Sequence, residues 1–513
     1  MRDGFRKNVA TVGGLTAISR VLGFVRDMVM AWLLGAGPLA DAFVVAFRLP
    51  NLLRRFMAEG AVSVAFVPVF SEVKEREGVE QAYRMAREVL TLMFVALTVI
   101  VLIGEIAAPV LVTVIAPGFL HLPVFDTTVH LTRIMFPYIM LIGIAALFMG
   151  ILNSLGHFAM PAAAPIVMNV FMIGVPVVLH VAFPLIPSPA DALAWGVVAG
   201  GVAQILLQIP PLKRRGVPIG FLRKFRSTRV RKVVRLVGVA AIGASIYQIN
   251  VLVGTLLASL LAQGSVSYLY YANRILELPL GVFAFAVGNV MLPSMSSASA
   301  RMDTGHFSFL MGRGVLSVLL FTIPATVGAV VLAKPIFAVL FMRGAFTYAD
   351  TLASAYALQM YGLSLWAVGY TRIQTQALYA MQKAKVVVNI SWVSLAANVL
   401  FCLIFMPCLR HAGIALASSL SVLVQLFIQH RYVLRSGIRM TGEHRKQVGK
   451  MLVASAIMGV VLVPFARMEV WESGLSPATG GLLAAAVILG GALYFALLWL
   501  LGMRGFLTGR RPR

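Results

Sequence analysis

Apolar residues fall along this chain in long stretches separated by short segments that are mostly basic. Fourteen stretches have the roughly 20 mostly apolar residues that a helix needs to cross a hydrocarbon core. They lie near 9–35, 38–70, 88–116, 130–153, 160–183, 190–212, 236–262, 267–299, 314–342, 351–380, 386–407, 412–430, 451–466 and 478–501. The second is too long for one straight helix and carries Pro50 and the pair Glu59–Gly60, which predicts a bent or broken element. No connecting segment exceeds roughly 25 residues, whereas a folded soluble domain needs about 50. The predicted fold class is therefore an all-α integral membrane protein of fourteen transmembrane helices, with its function inside the bundle.

Composition identifies the solvent. Apolar residues are 60% and charged residues 12% of 513, against about 45–50% and about 25% in soluble domains. The net charge of +25 does not point to nucleic acid, because such a binder needs its basic residues on a water-facing surface and spans this long leave little of it. Its distribution reads as topology. Of the 43 Lys and Arg, 31 lie at the two termini and in 71–87, 213–235, 300–313, 381–385 and 431–450. Three (Arg343, Arg410, Arg467) lie in the alternate loops, and nine inside spans. Basic residues accumulate on the cytoplasmic side, so both termini are expected there. Residues 213–235 are either a topological loop or a segment lying along anionic headgroups. The basic N-terminus lacks a clean signal-peptide pattern and is expected to be retained. Cys402 and Cys408 match no disulfide or metal framework and read as packing residues.

Two recurring features suggest an internal repeat. Pro68 and Pro293 end related stretches 225 residues apart, and Asn169 and Asn398 are 229 apart. This predicts two six-helix lobes around a central cavity, 1–212 and 236–432, joined by the basic linker 213–235, with two extra helices in 433–513.

The charges inside spans carry the chemistry. An Arg or Lys facing lipid at mid-depth costs about 2.5–3.5 kcal/mol even on the lenient scale, yet Arg20, Arg26, Arg48, Arg54 and Arg55 crowd one short region. Helical spacing pairs Arg20 with Asp27, Arg55 with Glu59 and Arg274 with Glu277. With Asp27, Asp41 and Glu59 counted, the cluster still has surplus arginine, which suits a phosphate-bearing ligand because guanidinium binds phosphate in a bidentate way and stays charged. Arg133 and Lys334 are expected to snorkel at outer span ends, Arg48 and Arg372 suit structural pairs equally well, and Glu105 reads as neutral or locally paired. The glycines of GGLTAISRVLG read as close helix packing. The histidines show no metal-ligand spacing; no Walker A loop, dinucleotide fingerprint or nucleophile elbow occurs, so no cofactor is expected.

The segments SRVLGFVRD (19–27), ADAFVVAFRLPNLLRRFMAEGAVSVAFVPVFSE (40–72), SYLYYANRILELPLGVFAFAVGNVMLPSMS (267–296) and RGAFTYADT (343–351) resemble the MurJ (MviN) lipid II flippases of the multidrug, oligosaccharidyl-lipid and polysaccharide exporter superfamily. The likeness runs over nearly the whole chain. It implies a bacterial inner-membrane transporter, not an enzyme, that turns the undecaprenyl-diphosphate-linked peptidoglycan precursor to the outer leaflet by alternating access, in cell wall biosynthesis. By resemblance, the family's essential arginines match Arg20, Arg26, Arg54 (with Arg55 adjacent) and Arg274, with Asp41 and Glu59 also present and Asp27, Asn273 and Glu277 as supporting or gating residues. The last two helices would form a groove for the isoprenoid tail. The implied partners are lipid II and membrane lipids, with the chain acting as a monomer. Asn273 stands where the family often has an acid, and 236–262 holds no carboxylate; coupling to the membrane potential or to a monovalent cation is left open. An inside-negative potential would help to reset a positively charged empty cavity.

Two rival functions remain at this stage. A drug or polysaccharide-lipid exporter on the same fold would move a different substrate, though a drug-cation exporter calls for a net acidic cavity. A membrane-embedded glycosyl- or phosphotransferase would need paired carboxylates or a metal at a water-facing edge.

Overall fold

The computed structural model defines the backbone of residues 2–56, 62–223, 225, 227–281 and 285–507. It defines the side chains of these except at 2–10, 53–56, 62–64, 239–247, 285–286, 289 and 507. All regular elements among the described residues are helical, and the chain divides into two compact units, Met1–Gln263 and Gly264–Arg513. The first contains α1 (Arg2–Leu34), α2 (Pro38–Phe56), α3 (Val62–Glu77), α4 (Val79–Ile106), α5 (Ala108–Ile115), α6 (Val124–Met135), α7 (Tyr138–Ser154), α8 (Ala159–Pro176), α9 (Pro189–Arg214) and α10 (Thr228–Ser259). The second contains α11 (Ser265–Pro279), α12 (Phe285–Ala300), α13 (Thr304–Val331), α14 (Ala333–Leu340), α15 (Tyr348–Gly362), α16 (Leu365–Ala380), α17 (Ala384–Leu409), α18 (His411–Arg435), α19 (Gly442–Ala466), α20 (Pro477–Leu500) and the single turn α21 (Arg504–Leu507).

Nine helical stretches among the described residues are by length and composition able to cross a membrane. None of the three helices bearing the arginines of interest, α1, α2 and α11, is among them. Four stretches drawn from hydropathy as single spans are divided. α4 and α5 part at Ala107, with Pro109 in the first turn of α5; α6 and α7 part at Phe136–Pro137. A proline removes a backbone donor and crowds the preceding turn. In the second unit α13 and α14 part at Leu332, just before Pro335, and α15 and α16 at Leu363–Ser364. Pro109 and Pro335 are 226 residues apart, and the other two breaks 227, close to the spacings of the sequence repeat. Pro68 and Pro293 both lie within helices, and Asn169 and Asn398 are both buried. The bend expected at Glu59–Gly60 lies outside the described residues.

The packing boundary differs from the lobe boundary read from sequence. α10 covers most of 236–262, grouped there with the second lobe, but it packs on α2, α3, α4 and α5 of the first unit. Ion pairs tie its first turns down: Lys232 Nζ lies 2.6 Å from Glu72 Oε2, and Arg229 pairs with Glu77. The Lys232 ammonium donates to Glu72 and holds its carboxyl below the usual range. The linker before α10 is fastened to α4, with Tyr83 Oη donating to Arg215 O (3.0 Å) and Leu222 N donating to Thr91 Oγ1 (2.9 Å). At its start Arg215 Nη2 lies 3.1 Å from His157 Nδ1, and burial together with Arg215 lowers the histidine's pKa, leaving that nitrogen as an acceptor.

Small residues set the close approaches. A Cβ at Gly196 or Gly200 of α9 would lie 3.2–3.4 Å from the backbone Cα of Met172 or Met168 on α8, the approach that small residues permit between membrane helices. In the second unit α19 and α20 pack onto α13, with buried Tyr494 donating to Leu320 O at 2.9 Å. Cys402 is buried and Cys408 exposed, both free.

Candidate functional site

α1 lies along α8, and that pairing sets the first group. α8 has one polar side chain, Asn169, and it is buried. Its Nδ2 donates to Ser19 O on α1 (3.0 Å), which turns its Oδ1 toward Arg26: Nη1 donates to that oxygen at 3.2 Å. Arg26 also donates from Nε (3.0 Å) and Nη2 (2.6 Å) to Asp27 Oδ1. The Arg26 side chain is 13% exposed and that of Asp27 2%. A buried charge persists only when paired and hydrogen-bonded, and here a carboxylate and an amide meet that demand. Gly23 faces this amide, and a Cβ there would sit 3.6 Å from Asn169 Nδ2, an ordinary contact.

This corrects the pairing drawn from helical spacing. Asp27 takes its neighbour Arg26, because a long flexible arginine can fold back along its own helix where spacing rules consider only one face. Arg20 is exposed and forms no ion pair among the described residues. The glycine reading is corrected in part: Gly23 faces Asn169, but Gly13 and Gly14 face open space.

Asp41 is buried in the first turn of α2, where the helix dipole favours a carboxylate. Arg54 and Arg55 occupy the last turn of α2, but their side chains, like all of Glu59, lie outside the described residues.

α11 of the second unit carries the second group. Arg274 Nη1 donates to Glu277 Oε2 at 2.7 Å, as the spacing predicts, and Nη2 donates to Tyr270 Oη at 3.2 Å, with the guanidinium carbon 4.8 Å from that ring's centre. Asn273 Nδ2 donates to Glu277 Oε1 at 3.2 Å. A carboxylate at 273 would repel Glu277, whereas the amide donates to it. The two groups share a pattern: an arginine bonded both to a carboxylate and to neutral polar atoms.

Two further charges of the predicted spans have local partners. Arg133 donates to Glu105 O at 3.2 Å, and Lys334 lies 3.7 Å from Glu472. No cluster of three or more His, Cys, Asp or Glu that could hold a metal occurs among the described residues. Asn169 as the partner of Arg26 is not predicted by the sequence, whose signals at this position are its place in the repeat and its being the one polar residue of an apolar helix.

Residues 30–501 match the family model described as "Lipid II flippase MurJ". The chain is 34% identical over 98% of its length to the lipid II flippase MurJ of Burkholderia cenocepacia, covering 98% of that protein. It is 36% identical over 97% of its length to the probable lipid II flippase MurJ of Rhizobium tropici, covering 94% of it. Among solved structures, a lipid II flippase MurJ in an inward closed conformation superposes with a TM-score of 0.80 at 24% identity, covering 97% of this chain and 99% of that one. An inward-facing multidrug MATE transporter of the MOP superfamily gives 0.66 at 15% identity, over 82% of this chain and 94% of the other.

Proposed function

The chain belongs to the MurJ family of lipid II flippases, and from that premise we propose how its own residues carry the lipid-linked peptidoglycan precursor across the membrane. It is a multi-pass inner-membrane transporter, not an enzyme. The observation that carries the mechanism is Arg26, a guanidinium set among apolar helices with Asp27 and Asn169 among its partners, and Arg20, which forms no ion pair among the described residues, nearly two turns before it on the same helix. Arg20 meets the diphosphate of lipid II first. Arg26 then exchanges Asp27 for phosphate oxygens while Asn169 keeps the guanidinium in place. Arg274 makes the same exchange with Glu277, and Arg54 and Arg55 complete the cationic set. Only the polar head needs a hydrated path, since the polyprenyl tail can stay in lipid.

In this reading the membrane part comprises fourteen spans. The two repeats, 1–212 and 236–432 as read from sequence, work as lobes that alternate around a central cavity, with the linker 213–235 and α10 held to the first, and helix breaks recurring at 226–227 residues support their equivalence. The last two helices, in 433–513, guide the tail. The protein acts as a monomer without a cofactor, and the membrane potential or a monovalent cation drives it.

In bacteria depleted of their own flippase, expression of this chain is expected to restore growth and to make lipid II accessible at the outer leaflet. Restored growth with no externalised lipid II would sink the reading. The orientation, with both termini cytoplasmic, is tested in a Cys402→Ser/Cys408→Ser background. A membrane-impermeant maleimide should label Ser473→Cys in intact spheroplasts and Arg301→Cys only after permeabilisation; the reverse pattern would overturn the topology.

A further inference from the structure

A cavity of about 470 Å³ lies between the start of α4 and the linker, lined among others by Tyr83, Arg84, Arg87 and Arg223, with Glu80 as the one carboxylate among its described lining residues. Arg223 is exposed and forms no ion pair among the described residues. Arg87 makes a long 3.5 Å bond from Nε to Gly220 O. Arg84 lies 3.6 Å from Glu88, which also accepts from Ser227. The cavity is thus net cationic, with guanidinium donors unspent.

Its depth in the bilayer follows from α4. Exposed Val95, Val99, Leu102, Ile103 and Ile106 mark the lipid-facing strip of that helix. At the near end of the strip Phe94 meets Phe221 of the linker, ring centres 4.7 Å apart, with Ile219 and Phe221 themselves exposed. Exposed aromatic and aliphatic residues beside basic ones fit the interface between hydrocarbon and headgroups. Arg87 lies seven residues before Phe94, roughly 10 Å along the helix, a step from the hydrocarbon boundary to the phosphates.

We propose that this cavity binds the phosphate of an anionic glycerophospholipid from the adjacent leaflet, its acyl chains lying along the exposed strip of α4. The volume suits a phosphoglycerol headgroup and is too small to enclose a disaccharide carrying a peptide. The cavity is built from α4 and the linker, whereas Arg20 and Arg26 stand on α1, which packs along α8. The bound lipid ties the linker to α4 through a shared anion. The proposal rests on the functional reading above only for the name of the leaflet.

The full-length protein is placed in nanodiscs of phosphatidylcholine alone or of phosphatidylcholine and phosphatidylglycerol at three to one, and lipid retention and thermal midpoint are measured. Phosphatidylglycerol should raise the midpoint and be retained. Arg87→Gln/Arg223→Gln should weaken this by about tenfold in apparent affinity, while Arg301→Gln/Arg439→Gln, with the same loss of charge at exposed sites, should not. Equal losses in both double variants, or no preference for phosphatidylglycerol, would overturn the proposal. So would a full effect from inorganic phosphate, or from undecaprenyl diphosphate but not phosphatidylglycerol. Lipid retention is read without transport, so failure here leaves the flippase assignment standing, and failure of transport leaves this site standing.

Discussion

Replacing Arg26 and Asp27 together, as Arg26→Ala/Asp27→Asn, should abolish externalisation of lipid II while the protein remains in the membrane near its normal level. The double change is needed because Asp27 is only 2% exposed and takes two of the arginine's hydrogen bonds. Arg26→Ala alone strands a buried carboxylate, and breaking one side of such a pair costs about 3–5 kcal/mol. A fall in protein would then be confused with a fall in transport. Removing both charges relieves that cost and takes away the group meant for phosphate. Arg26→Lys is the discriminating companion. It keeps the charge, but an ammonium cannot hold the planar fork that reaches Asp27 and Asn169 together, so transport should fall by about tenfold or more, or ~1.4 kcal/mol in the barrier. Wild-type transport by the double variant would dismiss Arg26 as a substrate group.

The second large effect is on folding. Gly118, in the short turn Pro117–Phe119, faces the end of α10, and a Cβ there would sit 2.0 Å from Ser259 O and 2.8 Å from the Leu260 Cα. Both obstacles are backbone, so no side-chain rotation relieves the clash. Gly118→Ala should therefore cost at least the about 1–3 kcal/mol of ordinary overpacking and lower the amount of folded protein several-fold. Gly13→Ala and Gly14→Ala meet nothing within 4 Å and replace a poor helix former, a gain of up to about 1 kcal/mol each. Membrane levels and thermal midpoints of the three variants test the contrast; a Gly118→Ala protein as stable as its parent would refute it.

Hydropathy makes the membrane class and most spans legible because burial in lipid demands long apolar runs. It hides the breaks within spans, since a window averages over them. Pro109, Pro137 and Pro335 leave a local trace, but the break at Leu363–Ser364 has no proline and is anticipated only by the repeat. The site divides in the same way. Arg274–Glu277 follows from one turn of helix and was readable. Arg26–Asp27 depends on a side chain curling back on its own helix, and Asn169 comes from a helix 143 residues away, a proximity that only tertiary packing creates. The tie of α10 to the first unit is likewise a matter of contacts, set by Glu72 and Lys232 across 160 residues.

The carboxylates at Asp27 and Glu277 also bear on voltage. An arginine escorted by its own counter-anion carries little net charge through the electric field, so the unloaded protein would return almost without electrical work at these two positions. When the diphosphate displaces the carboxylates, the moving assembly becomes more negative, and an inside-negative potential pushes it outward by about 2.3 kcal/mol per charge per 100 mV. At these two positions, then, the field would act on the loaded protein more than on the empty one.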